Sequence, residues 1–293
     1  MSKSHLIDDL IWAVRSPPLI VMPGSDCQWY DSDFYRDLYD SSADWFAEMR
    51  RHPERVKALV AAQNDKRLGK LFETLWAAFL DESERFEIVE QNLQIIDGAK
   101  TLGELDLIVV DKKTKQMLHW ELAVKFYLGF GDTRQWKNWF GPAKKDRLDL
   151  KMSHLINHQT NLSQHAAVKK VLKAKKIKID NSAVILKGCL FYPPDSMDDE
   201  TPQYANVDHC RSRWTRLSDL AHSFKSEVQF YPLIGEGWMA SLDATHFEKM
   251  YSASEIINHI KSGGYRLPLL VSVIQQGFES EKIFIVQDDW HRQ

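Results

Sequence analysis

From position 67 to 80 (RLGKLFETLWAAFL) apolar residues recur at intervals of three and four, with Leu68, Leu71, Phe72, Leu75 and Phe79 on one stripe. That spacing predicts a helix. Residues 86–96 read as a strand closed by an Asp97-Gly98 turn, and 103–110 and 117–127 as two further strands joined by a lysine-rich loop. A second helix is predicted over 147–162, after the breaker pair Gly141-Pro142, and a buried strand over 183–192, stopped by Pro193-Pro194. The central order is therefore helix, three strands, helix, strand. Before it, residues 1–50 read as helices and turns anchored by Trp12, Trp29, Tyr30, Trp45 and Phe46. After it come a strand near 228–231, a helix over 245–261 closed by Gly263-Gly264, and strands near 269–274 and 282–286. The acidic stretch DSMDDETP (195–202) is the best boundary, dividing the chain into an N-terminal helical extension (1–55), a core (56–195) and a C-terminal α+β extension (196–293).

Alternation within 117–127 puts Trp120, Leu122, Val124 and Phe126 on one side, and His119, Glu121, Ala123 and Lys125 on the other. Alone, this describes a sheet with one wet face. The neighbouring strand argues differently, because Glu104 and Asp106 share their side with Ile108, a poor wet-face residue. If Asp106 opposes Glu121, position 111 opposes 116, and Lys112 to Lys115 form a four-residue hairpin loop. A slip of one residue would send the two carboxylates to opposite faces.

Glu73 interrupts the stripe Gly69, Glu73, Trp76, Ala77, Leu80. A lone buried carboxylate costs on the order of several kcal/mol unless compensated. Water, an arginine, or a cation shared with Asp106 and Glu121 would each serve. Gln159 likewise breaks the stripe Leu148, Met152, Leu155, Leu162, and either orients a ligand or caps a backbone group. Oxygen ligands drawn from separate elements suit Mg²⁺ or Mn²⁺ rather than zinc.

Composition narrows the class. The chain has 293 residues, 44% hydrophobic, with a net charge of −3, which is enough to bury a large core and excludes global disorder. The start carries Asp8 and Asp9 inside its apolar stretch, unlike a secretory signal, and no run approaches the ~18 apolar residues of a membrane span. Cys27, Cys189 and Cys210 are too few and too scattered for a disulfide framework or a CxxC zinc site. The expectation is a cytoplasmic protein with no membrane partner. The charge is segregated: 26–48 is acidic, and 144–178 holds ten lysines and arginines against Asp146 and Asp149. A basic block of this kind suits a polyanion, although a solvated helix end reads the same way. His154 and His158 stand four apart without a third metal ligand, and Arg36 occupies the position where a calcium loop needs glycine. Neither a P-loop nor a G-x-S-x-G elbow is present.

Taken in order, Glu73, Asp106 in GELDLIVV and Glu121 in HWELAVKFYL resemble the motifs of the PD-(D/E)XK nuclease superfamily. More closely, GELDLI, HWELAVKFYL and GPAKKDRLDLK resemble an uncharacterised bacterial domain-of-unknown-function family placed in that superfamily. The resemblance implies an α/β fold with a restriction-endonuclease-like αβββαβ core and a mixed sheet. It implies Mg²⁺- or Mn²⁺-dependent phosphodiester hydrolysis, in DNA rather than RNA. Asp106 and Glu121 would hold the metal, with Glu73 directly or through water. The usual lysine position is Ala123, so Lys125 resembles a migrated catalytic lysine, with Lys145 or Lys151 as replacements. Gln159 would position substrate, and Lys144, Lys145, Arg147 and Lys151 would contact phosphates. If no lysine reaches the metal, the chain is a nucleic-acid-binding module that does not cut. A protein-interaction scaffold with a structural acidic cluster is the remaining alternative.

Overall fold

The structure is a computed structural model that describes residues 5–97, 100–194, 196, 200–235, 237–242, 246, 247 and 249–290. The chain opens with α1 (His5–Arg15), β1 (Gln28–Trp29), α2 (Ser32–Asp40), α3 (Ala43–Arg51) and α4 (Glu54–Ala61). Its centre follows as α5 (Leu68–Asp81), β2 (Phe86–Asp97), β3 (Lys100–Asp111), β4 (Gln116–Gly129), β5 (Trp139–Phe140), α6 (Leu148–His154), α7 (Ala166–Ala174) and β6 (Asn181–Tyr192). The remainder is β7 (Cys210–Arg216), α8 (Leu220–Ser223), β8 (Gln229–Pro232), α9 (Ala253–Lys261), β9 (Leu269–Gln275) and β10 (Phe278–Val286).

The described strands join one mixed sheet in the order β2-β3-β4-β6-β7-β10-β9-β8, with β1 on β6 and β5 on β4. β2, β3 and β4 pair antiparallel, whereas β4–β6, β6–β7 and β7–β10 are parallel. This α/β architecture buries a core on each face of β4. On one face α5 packs Phe72, Leu75, Trp76 and Phe79 against Trp120, Leu122, Val124 and Phe126. The Trp76 and Trp120 rings meet edge to face at 5.7 Å, the favoured arrangement of two quadrupoles. On the other face Leu148, Met152 and Leu155 cover Ala123, Tyr127 and Leu186, while Val168 and Leu172 of α7 cover Ile95 and Ile108. Ile108 is thus a core residue, as its apolar character implied.

Strand β6 comes close to β4 opposite Lys125, where its register partner is Gly188. Gly188 has φ +143°, and a Cβ there would sit 1.6 Å from the Lys125 carbonyl oxygen. Only glycine lets the two backbones close at this point.

Several elements depart from expectation. The helix expected over 147–162 is regular only as far as His154. A π turn (Leu155–Gln159) follows, and then a 3₁₀ turn (Leu162–Gln164). The Thr160 N–H reaches back five residues to the Leu155 carbonyl at 3.0 Å, the hydrogen bond of a widened turn. α9 starts later than the helix expected over 245–261, because Ser252 and Glu255 form a capping box that fixes its first turn. Thr245, where that helix was expected to begin, lies outside the described residues, as do Gly98 of the expected turn and much of the acidic 195–202 stretch. α4, α7 and β7 are additional elements.

Candidate active site

The β3–β4 ladder pairs Asp111 with Gln116 and runs to Leu107 with Trp120, where it stops. This is the expected register, and it makes Asp106 and Glu121 the next pair on the same face. Instead of continuing the ladder, Asp106 Oδ2 accepts a hydrogen bond from the Leu122 backbone N–H at 2.9 Å. The strands part at the point where two carboxylates face one another.

Glu121 is only 2% exposed. Its Oε1 accepts a hydrogen bond from Gln159 Nε2, while its buried Oε2 has no hydrogen-bond partner. Burial, reinforced by the charge of Asp106, pushes Glu121 well above the usual carboxylate range, against the pull of Lys151. Asp106 is pushed up to about 6, chiefly by burial. The Leu122 N–H opposes that rise and the charge of Glu73 adds to it. Two carboxylates in a site of low polarity resist ionising together.

α6 supplies Lys151 and His154, and the π turn supplies Gln159, to the space above this pair. Gln159 Oε1 accepts a hydrogen bond from Lys151 Nζ at 2.9 Å and lies 2.8 Å from His154 Nδ1. Burial lowers the pKa of Lys151, with the charge of Glu121 pulling the other way. The charge of neighbouring Lys125 lowers it further. Lys125 itself donates to Asp146 Oδ2 at 2.5 Å.

Glu73 comes from the opposite face and stands at the rim. Its carboxylate pairs with Lys70 Nζ at 2.8 Å, and the same ammonium donates to Asn92 Oδ1 at 3.1 Å. Asn92, with φ 52°, lies on β2 between the partners of Leu107 and Leu105, and so across from Asp106. Glu73 is close enough for its charge to raise both Asp106 and Glu121. The structure therefore brings Asp106, Glu121, Gln159 and Lys151 together, with Lys125 and Glu73 flanking them in ion pairs of their own.

The other expected phosphate contacts stand elsewhere. Lys144 lies over the Trp290 ring at 4.7 Å, Lys145 is exposed, and Arg147 grips Asp149 through two bonds of 2.6 and 2.9 Å. Sequence reasoning missed His119. It is fully buried, both ring nitrogens lack hydrogen-bond partners, and Nε2 lies 3.8 Å from Glu121 Oε2. Burial holds its pKa at about 4, which keeps the ring neutral. Its place two residues before Glu121 on the same side was the available signal. Lys70, three residues before Glu73 on α5, was legible in the same way, and His154 was marked only by its spacing from His158, whereas Asn92 had no such mark.

Among the described residues, no group of three or more His, Cys, Asp and Glu side chains converges as a metal site. The acid pair nonetheless fits a hard divalent cation, because its donors are oxygens and one buried carboxylate oxygen lacks a partner. Nor, among the described residues, is any helix long and apolar enough to cross a membrane.

Compared with known proteins, residues 8–286 match the family model described as a domain of unknown function (DUF1853). The chain belongs to that family. No curated protein and no solved structure matches it.

Proposed function

We propose that this chain is a metal-dependent nuclease hydrolysing phosphodiester bonds in DNA, built on a restriction-endonuclease-like αβββαβ core. One observation carries the reading: Asp106 and Glu121, on the two arms of one hairpin, face each other at the parting of β3 and β4, beneath the side chains of Lys151 and Gln159. With the two-residue β5 and the added α7 set aside, the order α5, β2, β3, β4, α6, β6, with β4 and β6 parallel, matches the order that the PD-(D/E)XK resemblance implies.

Asp106 and Glu121 would hold Mg²⁺ or Mn²⁺ together with the backbone carbonyl of Ala123. Such an ion polarises a phosphodiester and makes water a better nucleophile near neutral pH. The protein's own groups supply the rest. Lys151 presents an ammonium where negative charge grows on the phosphate, a role that preorganised donors fill without reorganising. It takes the place expected for Lys125, whose charge is engaged by Asp146. Gln159 holds Glu121 in one rotamer and steers Lys151 over the pair. His119 remains neutral and leaves the net negative charge of the pair intact.

A second reading, a nucleic-acid-binding module that does not cut, is favoured by the ion pairs that occupy Lys125 and Glu73. A cleavage assay with Mn²⁺ separates the two. The nuclease reading expects cutting by the wild-type chain and none by Asp106→Asn, with binding retained. Binding without cutting in the wild type supports the module instead.

A further inference from the structure

Beyond the acid pair, the same sheet face carries a groove of about 460 Å³ between α7 and the segment that follows it. Its floor is apolar, with Leu172 and Ile177, and its rim carries Lys169, Lys173, Lys176 and Lys178. We infer that this groove grips the sugar-phosphate backbone of a nucleic-acid strand and leads it toward the acid pair. This deepens the nuclease reading by naming the surface that holds the substrate, and it rests on that reading for the identity of the polyanion.

Three observations carry it. First, Lys175, beside the groove, is neutralised by Glu90 at 2.7 Å. None of the four groove lysines has a carboxylate partner among the described residues. Four uncompensated ammonium groups around one groove repel one another and attract an anion.

Second, the local fold spends stability to place one of them. α7 ends in a Schellman cap: the Lys176 N–H bonds the Lys173 carbonyl at 3.1 Å, and the Ile177 N–H bonds the Leu172 carbonyl at 2.9 Å. Lys176 holds the left-handed position, φ 59°, where glycine is the default. Lys169 and Lys173, four residues apart, stand about 6 Å apart along the helix axis. A strand laid along the helix can therefore meet them with separate phosphates.

Third, the groove adjoins the candidate active site. Ser163 lines it, four residues beyond Gln159, and the Thr160 carbonyl between them is held by Ser182 Oγ at 2.8 Å. Beneath α7, Leu172 packs in one cluster with Ile108, two residues from Asp106 on β3.

The test is binding of a short labelled single-stranded oligonucleotide, read by anisotropy across a salt series in chelator, so that no cutting is needed. The variant combining Lys169→Gln, Lys173→Gln, Lys176→Gln and Lys178→Gln alters exposed side chains only. Its plot of log affinity against log salt is expected to be shallower by about 3, at ~0.7 for each phosphate no longer neutralised. A control with Lys112→Gln, Lys113→Gln and Lys115→Gln, in the exposed β3–β4 hairpin, should leave the slope nearly unchanged. Equal losses in both variants, or no loss in the first, overturn the groove. Polyglutamate displacing the strand as well as polyphosphate does would also overturn it, in favour of an acidic protein partner. Cutting by the wild type with an unchanged slope in the groove variant would sink this inference alone and spare the nuclease reading.

Discussion

On the α5 side of β4, Trp120, Leu122, Val124 and Phe126 meet aromatic and aliphatic side chains. On the opposite side the same strand carries His119, Glu121 and Lys125 beneath α6 and the π turn. A lysine on each side sharpens the contrast. Lys187, fully buried on the α5 side, donates to the Ser16 carbonyl and lies 3.1 Å from the centre of the Tyr35 ring. Burial holds its pKa well below the ordinary lysine range, and its oxygen neighbours are fixed backbone carbonyls from the end of α1. Lys151 instead sits above two carboxylates with an amide between. The Lys187 ammonium is closed by the protein's own backbone, whereas a Glu121 carboxylate oxygen has no partner; the neutral Tyr35 Oη, Trp76 Nε1 and Trp120 Nε1 on the α5 side lack one too. The first arrangement favours stability, and the second is the one that the proposed cation site requires.

The comparison breaks most readily through stability. Trp120→Ala should cost about 3–5 kcal/mol by urea denaturation, because a fully buried aromatic leaves a cavity among packed rings. Glu121→Gln at pH 8 without divalent cation should cost nothing or stabilise, since it removes a charge that its surroundings disfavour. Comparable losses in both would mean that the two sides do not differ.

Lysine variants sharpen the contrast within the polar side. Lys151→Ala should lower cleavage by about 10²-fold, the scale of one lost preorganised donor. Lys125→Ala should lower it far less, because Asp146 holds that ammonium. A reversed ranking would return Lys125 to the role first expected of it.

Titration gives a subtler contrast. Asp106 has a folded-state pKa of about 6, above its ordinary 3.8, so the folded chain binds more protons across that interval. Its contribution to stability is fully present below 3.8 and lost as pH rises through about 6. His119, depressed to about 4 from 6.5, contributes with the opposite sign, losing stability as pH falls through that window. The two partly cancel in the wild type, so the informative quantity is a difference. Asp106→Asn should gain on the wild type as pH rises from 4 to 8, measured by thermal or urea unfolding in chelator. A gap that stays constant with pH would contradict the raised pKa.

The smallest effect belongs to the residues outside the cluster. Arg147→Gln should change stability by no more than about 1 kcal/mol, since it breaks one exposed ion pair with Asp149.

Much of this contrast was legible in the chain, and the gaps have physical causes. Period-two alternation fixed the two sides of 117–127, and the hairpin length fixed the register that sets Asp106 beside Glu121. α7 was hidden because its lysines dominate AAVKKVLKA, and only Val168 and Leu172 are buried. β7, CRSRWTR, was hidden because Trp214 and Thr215 are its buried residues among arginines. The π turn had no sequence mark at all. With it went the placing of Gln159 over Glu121. The pairing of Glu73 with Lys70 was readable at three residues' spacing on α5, but Asn92, which shares that ammonium, required β2 in place.

The central claim is that Asp106 and Glu121 form a seat for a divalent cation, and calorimetric titration of the purified chain with Mn²⁺ tests it most directly. The account predicts binding that tightens as pH rises from 6 to 8, with protons released on binding, and loss of that binding in both Asp106→Asn and Glu121→Gln. An isotherm unchanged by either substitution, or no binding at pH 8, would contradict it.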